Sequence, residues 1–303
     1  MDSRAVEQFF SGLLKSDPNK SPAVAAIETL YEVVKRSRAE TLAGLNDELS
    51  VSVCSMLATD HSTTSLSSAS ELFRRFITLA ALDQPDFNEC RKVLLERGRL
   101  FIERVRGARE KIAKSSQQFI RDGSVILTHS FSRVVLEALQ LSAQTGCRLH
   151  VYVTESAPDY TGRQMAERLR KMGHRVTVIL DSAVAYVLEK VDLVLVGAEG
   201  VVENGGVINK IGTLAIAMCA KQMNKPVYAM AESVKFVKEY PLNQRDIPLG
   251  FKFPASLLRA ESDLEPEHPL VDYTPPSYIR LLFTDLGIMT PAAVSDELVK
   301  LYL

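Results

Sequence analysis

Residues 193–213 contain the residue types of an anion-binding pocket. The stretch begins with a short apolar run, 193–196, which is typical of a buried parallel strand. An Asn-Gly-Gly sequence then predicts a tight turn, since these residues adopt positive φ at low cost, and a helix is predicted from Leu214. The exposed backbone amides at the start of that helix would suit a phosphate. The polar side chains around them are Glu199, Asn204, Asn209 and Lys210.

The sequence leaves two interpretations of this stretch open. The glycine spacing matches neither GxGxxG nor a phosphate-binding P-loop, so the motif does not identify a nucleotide site. The alternative to a pocket is a tight connection between strand and helix, with Lys210 pointing into water.

A second candidate site follows the strand that is predicted at residues 124–127. Ser130 and Arg133 lie at the start of the next predicted helix, 133–143, and could bind a phosphate through a hydroxyl and a bidentate guanidinium. Alternatively, Ser130 caps that helix and Arg133 lies on the surface.

The sequence argues against several other kinds of site. The five histidines are far apart and form neither HxxxH nor HExxH, so neither a metal site nor a cofactor is predicted. His129 and Ser130 are neighbours, whose side chains point in opposite directions on an extended chain, and no GxSxG sequence is present, which disfavours a catalytic triad. The net charge of −1 argues against protein-wide binding of nucleic acid or of a membrane surface.

The helix that is predicted at residues 91–114 is locally basic, with nine Lys or Arg and three Glu. This composition fits a solvated face with internal ion pairs, or else a surface for an acidic or phosphorylated partner. Aromatic residues interleaved for base stacking are lacking, so direct binding of RNA is not expected.

The N-terminal part of the chain is predicted to be helical. Nearly every segment before residue 119 has helical periodicity, and helices are predicted at 41–57, at 71–82 and, unbroken, at 87–116. Gln84-Pro85-Asp86 is predicted to interrupt the chain before the last of these.

After residue 119, short apolar strands alternate with helices, which predicts a parallel sheet covered on both faces. Ligands of such sheets bind beyond the carboxyl ends of the strands, where residues 128–133, 154–156 and 193–213 are expected to converge. Residues 231–276 cannot be assigned, and their proline-rich part, 264–276, is expected on the surface.

The ends and the cysteines of the chain predict a soluble, cytoplasmic protein. The N-terminal sequence MDSRAVEQFF is too polar for a secretory signal, and no apolar run approaches the roughly 20 residues of a membrane helix. The four cysteines form no CxxC pair and are expected to be reduced.

Four long segments resemble one protein family. They are GAEGVVENGGVINKIGT, VYVTESAPDYTGRQMA, FTDLGIMTPAAVSDELVKLYL and VAAIETLYEVVKRSRAETLAGL, and the resemblance extends over residues 6–303. The family comprises the alpha, beta and delta subunits of eukaryotic translation initiation factor 2B together with related sugar-phosphate isomerases. The resemblance implies an α/β fold with a helical N-terminal domain, residues 1–118, and a Rossmann-like, doubly wound parallel-sheet C-terminal domain, residues 119–303.

Positions that serve catalysis in the isomerases differ here. Ser130 stands where the isomerases have a cysteine, and Glu199 stands where they have an aspartate. Isomerisation needs proton transfer by accurately placed groups, so these changes predict that no catalytic residues remain. The arginines of two isomerase motifs are also missing, from KSPA at 20–23 and ESAP at 155–158, whereas Asn209-Lys210 is retained. The resemblance therefore implies a non-catalytic pocket for a sugar phosphate or a nucleotide.

The resemblance also implies a regulatory role. Such a subunit belongs to the guanine-nucleotide exchange factor complex for initiation factor 2, forms a homodimer through its Rossmann-like domain, and joins the other subunits (beta, gamma, delta and epsilon). It senses the phosphorylated alpha subunit of initiation factor 2. This sensing inhibits nucleotide exchange and translation under stress. The alternatives are a metabolite-sensing dimer and an active sugar-phosphate isomerase. The candidate partner contacts are Thr41, Leu45, Arg74 and Arg75.

Overall fold

The structure is a computed structural model, which describes residues 1–78, 87–260, 264 and 268–302. The helices of the described residues are α1 (Ser3–Ser16), α2 (Pro22–Arg36), α3 (Leu42–Leu57), α4 (Thr63–Thr78), α5 (Phe87–Arg106), α6 (Ala108–Ser116), α7 (Arg133–Gln144), α8 (Thr161–Lys171), α9 (Val184–Leu188), α10 (Thr213–Gln222), α11 (Leu249–Lys252), α12 (Ala255–Arg259) and α13 (Val294–Tyr302). The strands are β1 (Val125–His129), β2 (His150–Thr154), β3 (Arg175–Ile179), β4 (Leu193–Gly197), β5 (Gly200–Val202), β6 (Val207–Lys210), β7 (Val227–Met230), β8 (Phe236–Val237), β9 (Val271–Thr274), β10 (Leu281–Thr284) and β11 (Gly287–Met289).

The chain folds into two compact units. The first is helical and takes its described residues from 1–107, 249–264 and 301–302. The second, the α/β unit, takes them from 108–248 and 268–300 and contains all the strands given above. The predicted fold class, a helical N-terminal part followed by a mostly parallel sheet, is confirmed. The domain boundary at residues 118 and 119 stays a prediction.

Helix α2 packs against α1, α3, α4 and α5 and forms the core of the helical unit. Its start follows from the sequence, because Ser21 Oγ accepts the backbone N–H of Val24 (3.3 Å) and Pro22 occupies the first turn. Small residues let the neighbouring helices approach closely along its buried face. The buried apolar residues of this face are Ala23, Ala25, Ala26, Ile27, Leu30, Val33 and Val34.

The segment 249–260 completes the helical unit by holding the turn between α3 and α4. Asp60 accepts the backbone N–H of Ser256 (2.8 Å), and the Arg259 guanidinium donates to the Ala58 carbonyl (2.8 Å). The Thr63 hydroxyl donates to the Gly250 carbonyl. The predicted helix at 71–82 is found as α4 as far as Thr78; its last residues, and the predicted break at 84–86, lie outside the described residues.

The α/β unit is built on a seven-stranded sheet with the order β11-β10-β7-β4-β1-β2-β3. Its neighbouring strands are parallel except for β10 and β11. The chain order reverses between β1 and β4, so the carboxyl ends of these two strands flank the crevice in which doubly wound sheets bind ligands.

Both faces of the central strands of this sheet are buried. Alternate residues such as Ile126, Val151 and Leu195 belong to one core cluster with α6, α7 and α8. The intervening Leu127 and Val194, which point to the opposite face, are fully buried as well. This double burial explains why the central strands are continuous apolar runs in the sequence.

A second sheet of four short strands, with the order β8-β5-β6-β9, was not predicted. Strands β5 and β6 form a hairpin whose turn contains the Asn-Gly-Gly sequence. Gly205 has a φ of 83°, and a Cβ there would lie 2.1 Å from the Pro291 carbonyl oxygen, so only glycine fits. The interpretation of 193–213 as a simple strand-to-helix connection is therefore wrong, because most of 200–210 is strand.

Two further expectations are wrong. The expectation that the proline-rich segment 264–276 lies on the surface is wrong for the four residues of β9, which are buried and pair with β6. The single helix expected at 87–116 is two helices, since α5 ends at Arg106 and α6 begins at Ala108. In the described part of the chain, no helix is both long enough and apolar enough to cross a membrane.

Candidate functional site

Ser130 lies directly beyond the carboxyl end of β1 and is 2% exposed. Its φ of 60° is unusual for serine, and Ser156 (φ 60°) and Tyr160 (φ 53°) in the loop after β2 share this conformation. Such backbone costs about 1–3 kcal/mol per residue and collects at functional sites. The cap of α7 is Ser132, whose Oγ accepts the backbone N–H of Val135 (3.4 Å), so the interpretation of Ser130 as the helix cap is wrong.

A chain of hydrogen bonds links Ser130 to Lys210. Ser130 Oγ lies 2.7 Å from Thr161 Oγ1, and Thr161 Oγ1 donates to Asp159 Oδ1 (2.9 Å). Lys210 Nζ donates to the other carboxylate oxygen, Asp159 Oδ2 (3.0 Å). Because Thr161 gives its proton to Asp159, Ser130 must donate to Thr161. The Ser130 hydroxyl therefore faces another hydroxyl rather than a base that could activate it as a nucleophile.

The buried His129 holds three segments of this edge together. Its Nε2 lies 2.9 Å from the Ile211 carbonyl oxygen and its Nδ1 lies 2.6 Å from Thr154 Oγ1. A carbonyl only accepts, so Nε2 carries the proton and Nδ1 accepts from Thr154. Burial lowers the pKa of His129, which favours this neutral ring. The three segments that were expected to converge therefore meet here.

The start of α10 is already occupied by a carboxyl group of the chain. Asp272 Oδ2, from β9, accepts the backbone N–H groups of Gly212 (2.7 Å) and Leu214 (3.1 Å). The expectation that these amides are exposed to a ligand phosphate is therefore wrong. Burial raises the pKa of Asp272 to about 7, although its hydrogen bonds with the amides act in the opposite direction.

Arg133 is half-buried at the first turn of α7, so the interpretation of Arg133 as a surface residue is wrong. Its Nε is buried and has no hydrogen-bond partner. Burial lowers the pKa of Arg133, and the neighbouring charge of Arg109 lowers it further. Glu199 and Glu232 act in the opposite direction. The guanidinium thus retains a donor for an anion.

Glu232, two residues after β7, lies between the cations beside Arg133. Its side chain is 5% exposed and accepts a hydrogen bond from Arg109 Nε (2.8 Å), while Lys235 Nζ lies 3.5 Å away. Burial would raise the pKa of Glu232, but Lys235 and Arg109 outweigh it and hold the pKa at about 2. Lys235 also donates to the Ala198 carbonyl (2.7 Å), which fixes the backbone before Glu199.

Glu199 lies at the base of the β5–β6 hairpin. Its backbone N–H donates to the Ile208 carbonyl (2.8 Å), and its carboxylate is close enough to Arg133 to act on the charge of the guanidinium. Ser130, Arg133, Glu199 and Lys210 therefore all lie at the carboxyl edge of the large sheet, around β1 and β4.

The two asparagines have structural partners. Asn204 lies in the hairpin turn, at the opposite end of β6 from Lys210, where it donates to the Tyr273 hydroxyl (2.7 Å) and accepts the backbone N–H of Gly206 (2.9 Å). Asn209 is buried and donates to Thr213 Oγ1 (3.0 Å). A ligand role for either side chain stays a prediction. In the described ranges, no group of three or more His, Cys, Asp or Glu residues is arranged to hold a metal ion.

The helical unit has a separate polar groove of about 440 Å³ between α3 and α4. Two of its donors, Ser70 Oγ and Arg75 Nε, are buried without a hydrogen-bond partner. Thr41 caps α3, where its Oγ1 accepts the backbone N–H of Gly44 (3.1 Å). Leu45 is only 2% exposed, so its side chain belongs to the core. The groove is lined by Asn46, Val53, Ser67, Ser70, Glu71, Arg74, Arg75 and Thr78.

Comparison with known sequences decides the family. The profile of the Initiation factor 2 subunit family matches residues 15–291. The chain belongs to the Initiation factor 2 subunit family. The matched range contains all the residues of the α/β site and most of each unit.

Two kinds of protein are among those to which this chain is similar. The chain is 48% identical to translation initiation factor eIF2B subunit alpha of Caenorhabditis elegans, over the full length of both proteins. It is 44% identical to the same subunit of Dictyostelium discoideum, with 97% of this chain and 95% of that protein covered. It is 31% identical to ribose 1,5-bisphosphate isomerase of Archaeoglobus fulgidus, with 88% and 83% covered.

Two solved structures share the fold of this chain. Pyrococcus horikoshii translation initiation factor eIF-2B matches with a TM-score of 0.72 at 28% identity, covering 96% of this chain and 98% of that one. A chain of the tetrameric eIF2B-beta2-delta2 complex from C. thermophilum matches with a TM-score of 0.77, covering 100% and 96%. At 19% identity, the second match supports the fold alone.

The charged cluster beside Arg133, formed by Arg109, Glu232 and Lys235, was missed in the sequence, as were Asp159, Thr161 and Asp272. Arg109 lies in a helix that was assigned to the helical domain, whereas Glu232 and Lys235 lie in a segment that could not be assigned. The only signal for Glu232 was its position, because it follows the apolar run of β7 at the carboxyl edge of the sheet.

Proposed function

We propose that this chain is the alpha-type regulatory subunit of the exchange factor complex for initiation factor 2 and acts in the cytoplasm. Its full-length similarity to two eIF2B alpha subunits, at 48% and 44% identity, carries this proposal. The subunit is non-catalytic, and its partners include other eIF2B subunits. The inactive setting of Ser130, which donates to Thr161, agrees with a regulatory role.

The α3–α4 groove is our candidate contact for the phosphorylated alpha subunit of initiation factor 2. Arg74 and Arg75 line it, and the unpartnered Arg75 Nε and Ser70 Oγ are donors that a phosphoryl or carboxylate oxygen would satisfy. Thr41 supports the start of α3. The buried Leu45 supports the same helix from the core, so we assign it no direct contact.

Replacing both groove arginines should remove the preference for the phosphorylated partner. Each hydrogen bond to a charged group contributes about 1.5–3 kcal/mol, so Arg74→Ala/Arg75→Ala should lower that preference by about tenfold or more. The measurement is capture of phosphorylated and unphosphorylated partner by the whole reconstituted complex. Arg104→Ala, an exposed arginine of α5, is the control. Unchanged selectivity in the double variant would count against the groove.

We infer a second role for the α/β site, which is to bind a sugar phosphate or a nucleotide and couple it to homodimerisation. Arg133 supplies an unpartnered donor, Lys210 supplies a second cation, and both lie at the edge where doubly wound sheets bind ligands.

Glucose 6-phosphate and ribose 5-phosphate should therefore raise the melting temperature of the wild-type chain. A ligand at 100 times its dissociation constant stabilises by about 2.7 kcal/mol, which thermal unfolding detects readily. Arg133→Ala and Lys210→Ala should each reduce that shift, whereas Lys171→Ala, an exposed lysine of α8, should keep it. Light scattering with and without the same ligands measures whether they change the fraction of homodimer. No shift in the wild type, or equal shifts in all variants, would contradict a pocket here.

A further inference from the structure

The ammonium of Lys210 is engaged by the chain itself. Lys210 Nζ lies 3.0 Å from Asp159 Oδ2, and the two side chains are 28% and 31% exposed. Both groups are therefore partly desolvated, and both remain accessible to a small molecule that enters from the carboxyl edge of the sheet.

Asp159 is held in place for this contact. Its other oxygen, Oδ1, accepts the backbone N–H (3.1 Å) and the hydroxyl (2.9 Å) of Thr161. Tyr160, between them, adopts a φ of 53°, and the Thr161 hydroxyl lies 2.7 Å from Ser130 Oγ. Burial raises the pKa of Asp159, but the Thr161 amide and Lys210 outweigh it, so the net pKa is lowered. The group is thus an oriented, ionised carboxylate at neutral pH.

The two cations of the pocket, Arg133 and Lys210, therefore differ in how far the chain already satisfies them. Arg133 keeps a buried donor without a partner, whereas the charge of Lys210 is balanced by a carboxylate of the chain. An anionic ligand that reaches Lys210 must take the place of Asp159 or lie beside it. A partly exposed ion pair is weak, so displacing it lowers ligand affinity by up to about fivefold, and repulsion from the carboxylate adds to this.

We propose that Asp159 is an internal competitor for Lys210, which weakens the binding of phosphorylated ligands and restrains the pocket from filling at low ligand concentration. This proposal rests on the ligand pocket proposed above and adds the group that regulates it. The competing carboxylate is part of the loop that also positions Thr161 and Ser130, so a bound phosphate would move Asp159 and change the hydrogen bonds of Ser130 with it.

The test is the affinity of the full-length chain for glucose 6-phosphate, measured by calorimetry at low salt. Asp159→Asn keeps the side-chain shape and an acceptor for Thr161, and removes the negative charge. We expect its dissociation constant to fall by about five- to tenfold relative to wild type. Asp192→Asn, at the amino-terminal edge of β4, removes the same charge at the opposite edge of the sheet and should leave the affinity unchanged.

Each outcome separates this proposal from the pocket itself. Tighter binding by Asp159→Asn than by the wild type supports the competition. Measurable binding by Asp159→Asn alone, with none detected for the wild type, supports it as well. Equal or weaker binding by Asp159→Asn overturns the competition and leaves the pocket standing. If neither chain binds, both the pocket and the competition are overturned. If Asp159→Asn does not fold, Asp159→Ser takes its place. The double variant Asp159→Asn/Lys210→Ala should lose the increase in affinity, because it lacks the ammonium for which Asp159 competes.

Discussion

Replacing Glu232 by glutamine is expected to lower the free energy of unfolding by about 3 kcal/mol at neutral pH. The Glu232 side chain is 5% exposed and balances two largely buried cations, Arg109 and Lys235. Removing one partner of a buried ionic cluster leaves uncompensated charge in a low-dielectric interior, which costs more than the pair contributes. Urea unfolding measures the difference, with Glu167→Gln on the exposed face of α8 as a control that should change little.

The same cluster predicts how stability depends on pH. The folded pKa of Glu232 is about 2, against an ordinary value of 4.5, so its contribution is fully present above pH 4.5 and is lost as the pH falls towards 2. The advantage of the wild type over Glu232→Gln should be constant above about pH 5 and shrink below it. An advantage that grows with acidity would contradict this account.

Gly162→Ala is expected to destabilise the α/β unit by about 3 kcal/mol or more. A Cβ at this position of α8 would lie 1.8 Å from the Thr154 carbonyl oxygen, and neither the helix nor β2 can yield without disturbing the contact of Thr154 with His129. The variant should therefore also lose the thermal shift with glucose 6-phosphate.

Gly12→Ala is the matched control for this substitution. Gly12 lies within α1, and a Cβ there meets nothing within 4 Å. Alanine favours a helix over glycine by about 1 kcal/mol, so this variant should be as stable as the wild type or more so. If the two glycine variants unfolded at the same urea concentration, the close approach of α8 to β2 would not matter for stability.

Sequence periodicity predicted the parts of the fold that repeat over several residues. The strands predicted at 124–127 and 193–196 are found as β1 and β4, and the helix predicted at 133–143 is found as α7, each to within two residues, because apolar spacing reports burial directly. The hairpin of β5 and β6 was missed, because strands of three and four residues are too short to show alternation in a glycine-rich stretch.

The convergence of the three segments at the carboxyl edge of the sheet was predicted, but the contacts made there were not, and a ligand role for these residues stays a prediction. The carboxyl edge of the sheet and the residues Ser130, Arg133, Glu199 and Lys210 followed from strand order and residue type. The hydrogen-bond and ion-pair partners of these groups could not be predicted, because they lie far away along the chain. Asp159 and Lys210 are 51 residues apart, and Asp272 is 60 residues from Gly212. Such pairs depend on the tertiary fold, and no local pattern encodes them.

The segment 249–260 has a consequence for making hybrids between members of this family. The chain leaves the helical unit at Gly107 and returns to it at Leu249, where Ser256 and Arg259 hold the α3–α4 turn. A helical unit transplanted between homologues as one N-terminal block would lack this segment, and would instead receive the corresponding residues of the host. Exchanging the two stretches together, as a discontinuous module, preserves the native contacts of each parent.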